Sequence, residues 1–166
     1  NVRMMRLVAS AKIPTVGFCM GEIGTPSRIL AGRFGAPFTY AAFQRESAVA
    51  PGQLGYEEMR DLYRYDEVNG ETDVFGVIAD PVGHSLSPLI HNSAFAHLKM
   101  NKVYLPLRIP PKDLAQFLDE APQLGIRGLS VTIPHKEGVL EKLTDADESV
   151  SGIGACNTIV FDGDRV

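Results

Sequence analysis

Three short stretches in the second half of the chain carry side chains suited to chemistry. Residues 76–92 (GVIADPVGHSLSPLIHN) run from a strand through a loop into a helix, with hydroxyls at Ser85 and Ser87. Alternate side chains of an extended segment point the same way, so this pair can grip a small anion at the carboxyl end of a strand. Ser87 precedes Pro88 and serves equally well as the N-cap of a helix with proline at its first position. Ser85 has no such role, although serine is common in loops. Residues 130–137 (SVTIPHKE) bring Thr132 to a strand end, start a helix at Pro134 and set Lys136 in its first turn. The positive end of the helix dipole there favours loss of the lysine's proton, which suits proton exchange near neutral pH; the alternative is a solvated lysine beside Glu137. His135 reads as a structural or surface histidine and not as a catalytic one. Residues 152–160 (GIGACNTIV) place Asn157 in an apolar strand, where its amide must find a ligand hydroxyl or a backbone carbonyl. The Gly-x-Gly here precedes a strand and lacks a third glycine, so it is not a dinucleotide fingerprint.

The first part of the chain offers a second set. Met20 ends a short apolar run, Ser27-Arg28 follow in a helix, and Ala50-Pro51-Gly52-Gln53 form a turn. An arginine beyond a strand end can chelate a carboxylate through its planar fork, and a glutamine on a facing loop can hold a hydroxyl. An exposed helix charge and a plain turn account for the same residues.

The elements that must hold these side chains alternate between strand and helix. Strands are expected over residues 14–20 and 37–43 and helices over 25–34 and 56–65, the rhythm of a parallel sheet or barrel. Residues 66–73 (DEVNGETD) are polar and turn-forming, which sets a linker at 67–72 between a first part, 1–66, and a second, 73–166. The rhythm then restarts: strands over 74–79, 102–109, 128–133 and 156–161, helices over 88–100, 111–124 and 135–143, and a helical turn near 145–150.

Composition narrows the classes. The 166 residues are 45% hydrophobic without Trp, which fits one globular domain or two small ones. The net charge of -4 argues against nucleic acid, and the acidic excess lies in the second part. No run approaches the roughly 18 to 20 apolar residues of a membrane span, and residues 1–20 lack a signal-peptide layout, so a soluble cytoplasmic protein is expected. Cys19 and Cys156 suggest neither a disulfide framework nor a metal site, and are read as buried thiols. The chain starts at Asn1 in mid-pattern and stops just after a turn-like Asp162-Gly163-Asp164, as an excerpt of something longer would.

GHSLSPLIHN, SVTIPHK and GACNT, in this order, resemble the substrate-binding domain of shikimate dehydrogenase across residues 73–166. The resemblance implies that Ser85, Ser87, Thr132 and Asn157 hold the carboxylate and hydroxyls of shikimate, that Lys136 moves the hydroxyl proton, and that hydride passes to or from NADP. The family pairs that lysine with an aspartate in an N-T-D-G motif, which does not occur in these residues; nor does the nucleotide-binding domain. MGEIGTPSR, FGAPFTYAAF and APGQ resemble the last two units of type I 3-dehydroquinate dehydratase, a (β/α)8 barrel, over about residues 13–65. This implies Arg28 on the substrate carboxylate and Gln53 on a ring hydroxyl, with Met20 and Tyr40 as wall residues. The family's serine before Ala-Pro-Gly-Gln is Val49 here, with Ser47 two positions earlier. The family's Schiff-base lysine and catalytic histidine belong to earlier strands, and Lys12 does not match that lysine.

The two families catalyse successive steps and occur fused in this order. The expectation is therefore a fragment across the junction of a bifunctional enzyme, inactive alone. Its fold class would be α/β: a C-terminal barrel remnant, then a small, mostly parallel sheet flanked by helices. The parent would dehydrate 3-dehydroquinate through an imine and reduce 3-dehydroshikimate with NADPH. Two isolated barrel units expose strand edges and an apolar face, so they should pair with another copy, dock on the second part or disorder. Two alternatives stand beside this one: an NAD-dependent quinate dehydrogenase, and a non-catalytic quinate- or shikimate-sensing module, against which the retained Lys136 argues.

Overall fold

Residues 1–163 and 166 are described by the computed structural model of the chain; Asp164 of the expected terminal turn lies outside them. The first 72 residues hold the helices α1 (Val2–Ser10) and α2 (Thr25–Ile29), but no sheet. Residues 14–20 and 37–43 are extended, as their apolar runs lead one to expect, yet only an isolated bridge joins Ala42 to Gly55. A barrel strand satisfies its backbone against a neighbour on each side, and no neighbouring strand is present here. Side chains and turns take over: Cys19 N–H donates to Ser27 Oγ (2.8 Å) and Gly21 N–H to the Pro51 carbonyl (3.0 Å). The barrel remnant is therefore not formed as a sheet. The helices expected over 25–34 and 56–65 are also broken. The first stops at Ile29, followed by a 3-10 turn at Gly32–Phe34, and the second widens into a π-helical stretch, Glu58–Leu62.

The second part builds the sheet. β1 (Asp73–Ala79), β2 (Lys102–Arg108), β3 (Ile126–Val131) and β4 (Thr158–Val160) lie in the order β2-β1-β3-β4. The first three are parallel and β4 runs antiparallel to β3, so the sheet is mixed and mostly parallel. β1 is central, and its nearly unbroken apolar sequence fits burial on both faces. The crossovers carry α3 (Ser87–His97) and α4 (Leu114–Glu120), the latter bounded by 3-10 turns at Pro111–Asp113 and Ala121–Leu124. A short α5 (Glu148–Ile153) starts at Asp147, whose carboxylate accepts from Val150 N–H (2.8 Å), and ends at Gly154 in the left-handed region (φ 72°).

Two apolar layers cover the sheet. Val77, Ala79 and Tyr104 pack with Val82 and with Phe95 of α3 on one face. On the other, Val74, Ile78, Leu105 and Leu129 share one core with Leu118 of α4 and with Met5, Ile29, Leu30 and Met59 of the first part. Of the three fates foreseen for the isolated barrel units, the structure thus shows docking on the second part. The polar 66–73 segment is tied down as well. Thr72 Oγ1 donates to Asn101 Oδ1 (2.7 Å) and accepts from Asn69 N–H (2.9 Å), while Arg33 Nη1 donates to the carbonyls of Gly70 (2.7 Å) and Thr72.

β2 is an edge strand, and Asn92 of α3 covers that edge. Its amide donates to the Tyr104 carbonyl (2.8 Å) and accepts from Tyr104 N–H (2.9 Å), with Asn92 only 2% exposed. Replacing it leaves two buried backbone groups without partners. Asn92→Ala is predicted to cost about 2 to 4 kcal/mol of stability in equilibrium denaturant unfolding; a loss within about 0.5 kcal/mol, the usual scatter of surface substitutions, would contradict this role.

Candidate active site

The register of β1 against β3 sets the site. Ile78 lies opposite Val131, and the ladder continues one step into the loops: Thr132 N–H donates to the Ile78 carbonyl (3.2 Å) and Asp80 N–H to the Ile133 carbonyl (3.3 Å). The loops after both strands therefore leave the sheet side by side at its carboxyl end, where open α/β sheets receive ligands.

The loop after β1 carries Ser85 and Ser87. Ser87 is the first residue of α3 and its side chain caps nothing; instead Ser85 Oγ accepts from Ser87 N–H (3.3 Å). The capping role weighed for Ser87 thus falls nearer to Ser85. Ser85 lines a cleft of about 180 Å³ that Thr25, Leu54 and Tyr63 of the first part also line.

Beyond β3, Thr132 is half-buried and its carbonyl accepts from His135 N–H (2.8 Å). The helix expected over 135–143 is absent. The Lys136 carbonyl, which a helix would offer to Leu140 N–H, accepts instead from Cys156 N–H (2.8 Å), and only Leu140–Lys142 forms a 3-10 turn. Lys136 is exposed on a turn and no helix dipole faces it, so that basis for its proton exchange does not hold. Among the described residues no carboxylate forms a salt bridge with it. The Cys156 bond nonetheless fixes the Lys136 turn beside Asn157, whose own carbonyl accepts from Val131 N–H (2.8 Å). Asn157 is exposed just before β4, not buried within a strand, and its Oδ1 accepts from Thr158 Oγ1 (3.0 Å). Thr132, Lys136 and Asn157 are thus held at one sheet end by backbone bonds.

His135 points the other way. It is buried, and its Nε2 donates to the Ile109 carbonyl (2.8 Å), which requires a proton on that nitrogen. It anchors the turn that carries Lys136.

Tyr104 and Ser130 are missing from the sequence-based set. Tyr104 Oη donates to Ser130 Oγ (2.8 Å), and the ring stacks on His91 at 4.2 Å. Burial pushes this phenol above its ordinary value, and the hydrogen bonds with Ser130 and Ser87 oppose the shift. The available signal was a lone hydroxyl within the apolar run VYLPL, which has to find a partner.

The first part holds its own group. Arg28 is 2% exposed and therefore not a solvated helix charge. Its guanidinium stacks 4.0 Å over the Phe18 ring, Nη2 donates to Met20 Sδ (3.4 Å), and buried Nε has no partner. Burial lowers its pKa from the ordinary value. Among the described residues no carboxylate pairs with it; a buried cation without a counter-charge is costly, and an incoming carboxylate would relieve it. Tyr40 packs edge-on to Phe18 and Phe38. Gln53 lines a separate opening of about 490 Å³, and its Oε1 accepts from Val49 N–H (3.1 Å), closing the turn on itself. Gly52 needs its glycine: φ is 75°, and an added Cβ would lie 2.1 Å from the Gly21 carbonyl oxygen. Arg28 and Met20 are thereby brought together, whereas Gln53 is engaged elsewhere.

Taken together, the loops after β1 and β3 and the residue before β4 bring hydroxyl, ammonium and amide side chains to one end of an α/β sheet. Residues 77–159 match the family described as shikimate dehydrogenase substrate binding domain, and residues 1–70 match type I 3-dehydroquinase. The chain is 39% identical over 158 residues to the chloroplastic bifunctional 3-dehydroquinate dehydratase/shikimate dehydrogenase of Arabidopsis thaliana, covering 95% of this chain and 26% of that protein. It is 48% identical over 99 residues to the shikimate dehydrogenase (NADP(+)) of Methanopyrus kandleri, covering 60% and 34%. Among solved structures, shikimate 5-dehydrogenase of Thermus thermophilus in complex with NADP(H) and shikimate matches with a TM-score of 0.54 and 33% identity, over 56% of this chain and 35% of that one. The chain belongs to the shikimate dehydrogenase substrate-binding domain family and spans about a quarter to a third of the length of these relatives.

Burial also pushes the His135 imidazole below its ordinary value of 6.5, a shift that the Ile109 contact only partly offsets. Below about pH 6.5 the unfolded chain then binds more protons than the folded one, so stability is lost as pH falls from 6.5 towards the folded-state value. Thermal unfolding between pH 7.5 and 5.5 is predicted to show a smaller fall in His135→Gln than in the wild type; equal falls would contradict the assignment.

Proposed function

We propose that this chain supplies the substrate-binding part of a shikimate dehydrogenase, which reduces 3-dehydroshikimate to shikimate with NADPH, joined in its parent to a 3-dehydroquinate dehydratase. The observation that carries this reading is the pairing of β1 with β3, which brings the Ser85–Ser87 loop and the Thr132, Lys136 and Asn157 positions to one sheet end. Ser85 and Ser87 offer hydroxyl donors to the substrate carboxylate, and Thr132 and Asn157 engage the ring hydroxyls. Lys136 gives its Nζ proton to the carbonyl oxygen as that oxygen becomes a hydroxyl, and takes it back in the reverse reaction.

The hydride for that reduction would come from NADPH, and the described residues of this chain do not fit that cofactor. The glycine pair of the Gly-x-Gly stretch, Gly152 and Gly154, lies at the carboxyl end of α5, away from the amino-terminal position in which backbone N–H groups cradle a pyrophosphate. The role read for this chain is limited to holding the substrate and its proton. A second reading concerns the first part. The unpaired, buried Arg28 favours a carboxylate there as well, in keeping with a contribution to the 3-dehydroquinate site.

Calorimetric titration of shikimate into the chain is expected to show saturable binding, weakened about tenfold or more by Ser85→Ala and by Thr132→Val, each a loss of roughly 1.4 kcal/mol. Binding that Arg28→Ala abolishes and the other two variants leave intact would instead place the acid in the first part. Absence of binding by the folded chain would contradict the proposal.

A further inference from the structure

The Tyr104 phenol sits beneath the candidate site, outside the set of groups assigned to the substrate. Asn92 holds its backbone from both the N–H and the carbonyl side, and the His91 imidazole stacks on its ring with an interplanar angle of 11°. The residue is therefore fixed along the strand and in ring orientation. Its hydroxyl reaches across β1 to Ser130 on β3 (2.8 Å), and Ser87 at the start of α3 lies close enough to oppose the rise of its pKa. The Ser130 and Ser87 hydroxyls, from two further elements, thus lie at the phenol of Tyr104, a residue only 3% exposed.

We propose that Tyr104 is a positioning residue: with Ser130 and Ser87 it forms a reversible chain of hydroxyl donors that aims the Ser87 proton at a bound carboxylate. Without ligand, Tyr104 donates to Ser130, and Ser87 lies beside the phenol. When a carboxylate arrives, Ser87 donates to it, Tyr104 donates to Ser87, and Ser130 donates to Tyr104. Each hydroxyl supplies one proton in either direction, so no proton is gained or lost. Hydroxyls linked in this way polarise one another, and the last donor strengthens most towards a charged acceptor. A neutral acceptor gains little from the chain. This inference rests on the reading of Ser87 as a carboxylate ligand.

The test compares shikimate with its methyl ester, which keeps the ring hydroxyls and loses the charge. In calorimetric titrations, Tyr104→Phe is expected to weaken shikimate about tenfold and to leave the weaker affinity for the ester unchanged. Ser130→Ala, which keeps the tyrosine ring and its packing, should show the same selectivity and decides the matter if Tyr104→Phe fails to fold. The chain has no Trp, so the tyrosine near-UV difference spectrum on adding shikimate is readable, and Tyr104→Phe should remove most of it. Equal weakening of both ligands would reduce Tyr104 to a packing role and overturn the proposal. So would unchanged binding of both. If the wild-type chain binds neither ligand, the reading of the site falls together with this one, whereas wild-type binding with insensitive variants overturns the hydroxyl chain alone.

Discussion

The parallel pairing of β1 with β3 is the constraint on which the candidate site depends. Ile78 opposite Val131 fixes the step at which both strands end, and the two bonds beyond them, from Thr132 to Ile78 and from Asp80 to Ile133, carry that alignment into the loops. A slip of one residue would turn Thr132 to the opposite face and move Ser130 away from Tyr104. β4 adds the third member by closing antiparallel on β3, and the Cys156 bond to the Lys136 carbonyl then decides that residues 134–139 form turns. The site is held mainly by backbone hydrogen bonds, a rigid support for side chains that are themselves partly exposed.

The first part has a different relation to the sheet. Its extended segments lack strand partners, yet Met5, Ile29 and Leu30 share a core with Ile78 and Leu105. Arginines reinforce the junction. Arg64 donates to the carbonyls of Met100 (3.0 Å) and Lys102 (3.1 Å), and Arg108 bridges Glu22 of the first part and Asp80 beside the Ser85 loop, both at 2.8 Å. That last bridge is partly exposed and contributes little energy, but it links the two halves close to the cleft that Ser85 lines.

The second part was legible in the sequence because its strands are apolar runs bounded by turn residues, and three of its four expected helical segments are present in whole or in part. The fourth was not. Residues 135–143 have helix-compatible composition, and what undoes the helix is a partner 20 positions away, Cys156, which no local pattern contains. The first part misled for the opposite reason: 14–20 and 37–43 have strand composition, but a strand is defined by its neighbours. Among the candidate site residues, motif order singles out Ser85, Ser87, Thr132, Lys136 and Asn157, while the helix dipole assigned to Lys136 and the burial assigned to Asn157 are not realised. Tyr104 escaped because its hydroxyl meets Ser130 only after the sheet is assembled.

The central claim is that the loops after β1 and β3 form one site for a hydroxylated acid. A crystal structure of the chain grown with shikimate tests it most directly. The carboxylate is predicted within about 3 Å of the Ser85 and Ser87 hydroxyl oxygens, with ring hydroxyls at the same distance from Thr132, Asn157 and Lys136. Shikimate seated instead on the Arg28 guanidinium, with the β1 and β3 loops free of ligand, would contradict the account.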